Sequence, residues 1–246
     1  MTDSNKITTT TTTTIKDLKL VQLYENNLND VMQFLMKHFI PNEPTARSVR
    51  MSFNDGWEIT EAIVRNCLKF PYSYALKNED DEIVAVRLAE VIERPKLNET
   101  NKCENDRTFV LSKEINEHNE KETEKMAISA VEINRLLKTL ESKIWHLVAT
   151  STKKLLAIMI ISTHEKYTRR GLMRELLTFD LLKQKCDGIQ GGISEATAYN
   201  SQKLFAELGF EVLYQINYND WLDRNDKQIF KCDDRTNCAQ LVHRLY

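Results

Sequence analysis

Residues 162–174 combine basic side chains with a glycine at a predicted turn between a strand and a helix. A helix that begins there presents unpaired backbone N–H groups and the positive end of its dipole. Gly171 lets a ligand approach the backbone closely, and Arg169, Arg170 and Arg174 add positive charge. The pattern predicts a site for a diphosphate. R-R-G is a weak motif by itself, and a solvated basic turn is at least as good an interpretation of it in isolation.

Residues 197–210 form the second segment that could carry chemistry, and they are predicted to be a helix that Thr197 caps and Gly209 ends. Packing against a core accounts for most of this segment. It does not account for Ser201, because serine is a mediocre helix former and here lies one turn into the helix, beside the end of a predicted parallel strand. Ser201 is therefore a candidate functional residue.

The elements that must position these segments alternate between strands and helices. Residues 155–161 are apolar on both strand faces, which is typical of a central strand covered by helices. The order of elements indicates an α+β fold with a mixed sheet and parallel pairing in its C-terminal half. From periodicity, caps and turn residues we predict strands at 18–23, 72–76, 83–91, 189–196, 210–216 and 239–245, and helices between the Asn27 cap and Pro41 and at 57–68, 126–144, 171–186 and 198–208.

Composition sets limits on organisation. A chain of 246 residues, 41% of them hydrophobic, can bury one good core, so residues 16–246 are predicted to form a single domain. Residues 1–15 contain a threonine tract and are predicted to be a disordered tail, and the charged residues 98–125 are predicted to be a flexible insert.

Charge and cysteine usage indicate a cytoplasmic protein with a small partner. The formal net charge of -2 gives no field that would favour nucleic acid, and no apolar run is long enough to cross a membrane. The five cysteines are widely spaced and match no zinc pattern, so we expect reduced thiols. The five histidines form no motif and are interpreted as structural or exposed. We expect a monomer that needs no metal.

With these residues in place, the chain resembles the GNAT superfamily of N-acetyltransferases, and within it the invertebrate-type arylalkylamine N-acetyltransferases. The resemblance rests on the strand, the basic Gly-containing turn, and the helix that ends in Leu-Gly-Phe, together with a Glu-Pro loop after the first helix. It implies a mixed, mostly antiparallel sheet with splayed central strands and helices on both faces. It also implies that acetyl-CoA is bound through Ile161, Ser162, Thr163, Arg169, Arg170, Gly171, Leu172, Met173 and Arg174.

The resemblance also implies catalytic roles. Glu43 matches the general base, which removes a proton from the substrate ammonium, usually through water. Without the resemblance, the better interpretation of Glu43 is a solvated residue before a proline. Thr197 and Ser201 match hydroxyl side chains that order water, bind the amine or return a proton to the CoA thiolate.

Several residues depart from the superfamily pattern. Thr168 and Met173 replace residues that are usual in the phosphate turn, and Met173 puts the closeness of the phosphate contact in doubt. Ala198 replaces an asparagine that is common elsewhere in the superfamily. Phe205 stands where many members have a tyrosine acid, and a phenyl ring cannot donate a proton.

The function implied by the resemblance is transfer of an acetyl group from acetyl-CoA to a primary amine, preferentially a small arylalkylamine. A polyamine or a protein amino terminus stays open as substrate, and so does a CoA-binding sensor or scaffold without catalysis. Aromatic side chains that could line the amine pocket are Phe39, Phe53, Tyr74 and Tyr199.

Overall fold

The computed structural model describes residues 17–95 and 128–246. Its strands form one seven-stranded sheet in the order β1-β2-β3-β4-β5-β7-β6. The predicted tail and the whole of the predicted insert lie outside the described residues. The strands are β1 Lys19–Gln22, β2 Tyr74–Lys77, β3 Ile83–Glu93, β4 Lys154–Thr163, β5 Gly191–Ala196, β6 Glu211–Asn217 and β7 Cys238–Leu245.

Eight α-helices occur in the described ranges, and they cover both faces of the sheet. On β3, Val86 and Leu88 pack against the first and third helices, whereas Ala85 packs on the other face against Leu172 and Leu176. None of the described helices has the length and apolar character needed to span a membrane. The helices are α1 Leu28–His38, α2 Pro44–Ser48, α3 Phe53–Cys67, α4 Ile128–Glu141, α5 Ile144–Leu147, α6 Leu172–Thr178, α7 Leu181–Cys186 and α8 Tyr199–Glu207.

The centre of the sheet opens between β4 and β5, as predicted. These two strands are parallel and pair only at Leu156 with Gly192 and at Ala157 with Ile193. The parallel pairing predicted in the C-terminal half occurs between β4 and β5, whereas β7 inserts between β5 and β6 and runs antiparallel to both. The α+β class and the mostly antiparallel, splayed sheet are confirmed.

The predicted single helix over residues 171–186 is two helices, and a buried arginine accounts for the break. The Arg87 side chain is fully buried and forms a double ion pair with Asp180, with N–O distances of 2.8 and 2.7 Å. Arg87 Nη1 also donates to the carbonyl of Leu176 at 2.6 Å. In a continuous helix the Leu176 carbonyl would accept a hydrogen bond from the Asp180 amide. Arg87 donates to that carbonyl instead, and α6 ends at Thr178.

The start of α1 also differs from its predicted cap. Asn27 precedes the helix, but its side chain accepts from the backbone amide of Tyr24 at 2.9 Å and makes no capping hydrogen bond to α1. A short 3-10 turn, Glu25–Asn27, therefore leads into α1.

Candidate active site

A cleft of about 740 Å³, which we call the long cleft, lies where β4 and β5 diverge. Every catalytic and cofactor-binding residue predicted from the sequence lines it. They are Glu43, Ile161, Ser162, Thr163, Arg169, Arg170, Gly171, Leu172, Met173, Arg174, Thr197 and Ser201. The fold thus brings together three segments that are far apart in the chain.

The wall formed by β4 contains an irregularity at the point of divergence. Leu88 of β3 pairs with Ile160 and Ala89 pairs with Ile158, so Met159 is an extra residue without a partner in the register. A β-bulge of this kind bends a strand and redirects its side chains. Beyond it, the edge of β4 that faces β5 is free of strand pairing up to Thr163, although Ser194 Oγ donates to the carbonyl of Ile158 at 2.8 Å.

The basic turn has the left-handed backbone that favours glycine. Gly171 has φ +77° and precedes α6, and Arg169 is also left-handed with φ +62°. The arginines are partly engaged by the protein: Arg174 Nη2 lies 2.6 Å from a carboxylate oxygen of Glu207, and Arg170 stacks over Tyr167. The Met173 side chain packs against the cluster of Leu172 and its neighbours.

Glu43 is the N-cap of α2, a short helix that was not predicted. Its Oε2 accepts from the Ala46 amide at 2.6 Å and from Thr45 Oγ1 at 2.5 Å. Its Oε1 accepts from Thr197 Oγ1 at 2.9 Å. The sequence did carry a signal, because an acceptor side chain followed by proline is a common way to begin a helix. These three donors hold the carboxylate in a half-buried position.

Thr197 does not cap α8 as predicted. The N-cap position is Ala198, and the Thr197 hydroxyl is directed to Glu43 instead. The Tyr199 amide at the start of α8 is satisfied by Asp234 Oδ2 at 2.8 Å. Ser201 Oγ donates to the carbonyl of Ala198 at 2.8 Å and lies on the wall of the long cleft.

The loop that follows β6 fixes α2 relative to α8. Arg47 of α2 forms an ion pair with Asp233, and Ser48 Oγ accepts from the Lys231 amide at 2.6 Å. Asp234, next in the same loop, binds the first turn of α8. A segment near the C-terminus therefore fixes the position of Glu43 relative to Thr197. Local sequence patterns could not indicate this contact.

A smaller cavity of about 110 Å³, the small pocket, lies on the other side of Glu43. Its walls are mainly aliphatic side chains of α3, α4 and β4, among them Ile59, Ile63, Ile133 and Leu137. The residues that line both cavities are Phe39, Glu43, Met159, Ile160, Glu195 and Thr197.

The aromatic lining expected from the sequence is mostly wrong. Phe39 borders the small pocket. Phe53 is 61% exposed and Tyr199 is 40% exposed, and neither borders this pocket. Tyr74 packs edge-on against Phe179 on the opposite face of the sheet. The sequence showed that these side chains are aromatic but could not tell which face of the sheet each would meet.

Glu195 was not singled out from the sequence, although it contributes a carboxylate to the small pocket. Burial raises the pKa of Glu195 well above its ordinary value, and nearby Glu141 and Glu90 raise it further. Within residues 17–95 and 128–246 its carboxylate has no hydrogen-bond or ion-pair partner. A cation in the pocket would supply one.

The histidines also depart from the sequence interpretation, because two of them meet. The rings of His38 and His164 have centroids 4.1 Å apart, and His38 lines the long cleft. Burial, the neighbouring His38 and nearby lysines lower the pKa of His164, an effect that Glu165 opposes. The described cysteines are free thiols.

No model of a protein family matches the chain, and no curated protein matches it by sequence. Solved structures do match. The arylalkylamine N-acetyltransferase 2 of Aedes aegypti has a TM-score of 0.72 at 22% identity, covering 93% of this chain and 99% of that one. The polyamine N-acetyltransferase of Drosophila melanogaster, described as forming N-acetylagmatine, has a TM-score of 0.69 at 18% identity, covering 94% and 100%.

The same architecture also occurs in a protein with a different description. The C-terminal condensation domain of Ebony, in complex with β-alanyl-dopamine, has a TM-score of 0.69 at 13% identity and covers 93% of this chain and 99% of its own. The chain therefore has the GNAT fold of these neighbours, and the resemblance to insect arylalkylamine and polyamine N-acetyltransferases is confirmed at the level of fold. Its chemistry has to be argued from its own residues.

Proposed function

We propose that the protein transfers the acetyl group of acetyl-CoA to a primary amine, with Glu43 as the general base. One observation carries this proposal: the Glu43 carboxylate lies where the long cleft meets the small pocket. A base at that junction faces a thioester that arrives from one side and an amine that arrives from the other.

Acetyl-CoA fits the long cleft in this proposal. Its pyrophosphate would rest on the backbone amides of residues 169–174, with Arg169 and Arg170 near the phosphates. Its pantetheine arm would follow the free edge of β4 from Thr163 towards Ile161, where backbone amides can polarise the thioester carbonyl.

The reaction needs a deprotonated amine, because an alkylammonium has a pKa near about 10 and is mostly protonated at neutral pH. Glu43 takes this proton, usually through water, as the nitrogen attacks the thioester carbon. The carbon–sulfur bond then breaks and the CoA thiolate leaves. Thr197 orients Glu43 through its hydrogen bond. Ser201 passes the second proton of the attacking nitrogen to the thiolate, so its own hydroxyl is restored and the product is a neutral amide.

The amine is best tested by thiol release from acetyl-CoA with tyramine, serotonin and spermidine in turn. We expect Glu43→Gln to lower kcat by about 100-fold or more, as loss of a general base does, and to leave acetyl-CoA affinity in calorimetry unchanged. The matched control is Glu79→Gln, at an exposed position in the β2–β3 turn.

Two outcomes would contradict the proposal. Full activity of Glu43→Gln would remove Glu43 from the base role. Binding of acetyl-CoA without turnover on any amine would favour the non-catalytic sensor.

An amine with a second cationic group is the second candidate substrate, and Glu195 favours it. Besides Glu43, the small pocket carries the charged side chains Glu141, Glu195 and Lys138 among mainly aliphatic walls. A monoamine with an aromatic ring leaves the Glu195 carboxylate without a partner, and an unpaired buried carboxylate is costly. The second cation of a polyamine would pair with it. The arylalkylamine preference remains a prediction that rests on the resemblance.

A further inference from the structure

Three potential metal ligands meet beside the mouth of the long cleft, and the mechanism above uses none of them. One ring nitrogen of His38, one ring nitrogen of His164 and one carboxylate oxygen of Glu165 lie within 4.8 Å of one another. His38 is the last residue of α1, and the other two residues directly follow β4. The chain thus brings two imidazoles and a carboxylate to one point from two distant segments.

The distances are close to those of a metal site. His38 Nδ1 lies 3.0 Å and His164 Nδ1 lies 3.9 Å from Glu165 Oε2. Zinc–nitrogen and zinc–oxygen bonds of about 2.0–2.2 Å place tetrahedral ligand atoms about 3.3 Å apart. Small rotations of His164 and Glu165 bring all three atoms to that spacing, and Glu165 can rotate because its side chain is 64% exposed.

His38 supplies the fixed point of this cluster. Its side chain is only 6% exposed. Its Asn42 neighbour also ties the end of α1, because Asn42 Nδ2 donates to the His38 carbonyl at 3.1 Å. His164 Nδ1 accepts from the Lys166 amide at 3.1 Å, so this nitrogen carries a lone pair rather than a proton. A metal would exchange that hydrogen bond for a coordinate bond.

We propose that His38, His164 and Glu165 bind a divalent transition metal of the Zn²⁺ type. Two imidazole nitrogens and one carboxylate oxygen form a donor set that suits zinc and its neighbours in the first transition row. Magnesium and calcium prefer shells of oxygen ligands. Coordination through His38 Nδ1 requires a lone pair on that nitrogen.

Such a metal would join the end of α1 to the loop that leads into residues 169–174. Its positive charge and the restraint on the loop would both favour an anionic ligand there. We therefore expect zinc to tighten acetyl-CoA binding by about fivefold, within the usual range of coupling between sites. This second expectation rests on the proposed function, whereas metal binding itself does not.

The test is equilibrium dialysis of the full chain with Zn²⁺, with no acetyl-CoA or amine present. We expect one zinc per chain, and about tenfold or weaker affinity in His164→Gln and Glu165→Gln. His146→Gln, at an exposed histidine of α5, is the matched control and should bind as the native chain does. Neither test variant removes the buried His38, and thermal unfolding without metal verifies that each variant is folded.

Cobalt distinguishes these ligands from the free cysteines. The Co²⁺ complex of the native chain should lack thiolate charge-transfer absorption. Absence of stoichiometric binding, unchanged affinity in both variants, or a thiolate spectrum would each overturn the site. Acetyl-CoA titrations with and without zinc then test the coupling, and equal affinity in the native chain would overturn that part while leaving the proposed transferase intact.

Discussion

The two cavities that meet at Glu43 are built in different ways. The long cleft is lined largely by two consecutive runs of residues, 158–163 at the end of β4 and 167–174 in the turn into α6. In the proposed binding mode it is the backbone amides of these runs that contact acetyl-CoA. The small pocket is bounded by side chains from helices and strands spread over much of the chain. A cavity made of backbone tolerates changes in side chains, whereas a cavity made of side chains changes with each substitution.

The departures from the superfamily pattern illustrate this difference. Met173 departs from the usual residue of the phosphate turn, but it packs against a core cluster and still borders the long cleft. In the small pocket, Glu141, Glu195 and Lys138 are, besides Glu43, the charged side chains among mainly aliphatic walls. We therefore expect specificity for the amine to depend on a few side chains. Binding of acetyl-CoA is expected to depend on the backbone geometry of the turn before α6.

Charge separates the two regions further. Glu207, beside the long cleft, lies at the surface and pairs with Arg174. On the sheet face that carries the small pocket, Glu90 is buried, and burial raises its pKa to about 7 although Lys69 opposes the shift. The Asn66 side-chain amide donates to its carboxylate. Three predictions test how far this contrast holds.

The largest expected effect is a gain of stability in Glu90→Gln. In the unfolded chain Glu90 has its ordinary pKa of 4.5, whereas in the folded chain its pKa is about 7. Because the folded state then binds more protons, the free energy of unfolding falls as pH rises through this window and levels off above it. Removing the titration should stabilise the variant by about 3 kcal/mol at pH 8 and by little at pH 4.

Urea unfolding of the native chain and of Glu90→Gln at both pH values measures this difference. Glu79→Gln, at an exposed position, serves as control and should follow the native chain. If the free energy of unfolding changed with pH equally in the native chain and in Glu90→Gln, the pKa of Glu90 would not be raised in the folded state.

The next effect concerns Glu195 and the choice of amine. Glu195→Gln keeps the shape of the pocket wall and removes its charge. We expect the ratio of kcat/KM for spermidine over tyramine to fall by about tenfold, which corresponds to about 1.4 kcal/mol of one lost charge contact. Steady-state thiol release with both amines measures the ratio. An unchanged ratio would mean that Glu195 does not bind the second cationic group of the amine. Acetyl-CoA affinity should be the same in the native chain and in Glu195→Gln.

The smallest effect concerns the backbone of the long cleft. An alanine at Gly171 meets no atom within 4 Å, so Gly171→Ala introduces only the strain of φ +77°, about 1 kcal/mol. We expect acetyl-CoA to bind about fivefold more weakly, with KM for the amine unchanged. Gly188→Ala is the matched control, because Gly188 has φ +78° and equally open surroundings but does not border the cleft. Weakening of acetyl-CoA binding by both substitutions would assign the effect to general strain.

Local patterns predicted most of the elements of this fold. Alternation and apolar runs located the strands, and the strand at residues 155–161 is the middle of the sheet as expected. The errors arose where a distant residue intervened. Arg87, buried on β3, took the carbonyl of Leu176 and divided the helix after residue 178, and no pattern within residues 171–186 could indicate that.

In the candidate site, too, some features were predictable from neighbours in the sequence and others were not. The backbone-rich turn around Gly171 was recognisable because its chemistry comes from neighbours in the chain: a strand end, a glycine and a helix start. The hydrogen bond between Thr197 and Glu43, the carboxylate of Glu195 in the small pocket and the meeting of His38 with His164 were decided by the tertiary structure alone. Sequence spacing specifies which groups lie along one helix or strand, whereas contacts between elements depend on how the sheet opens and which face each helix covers.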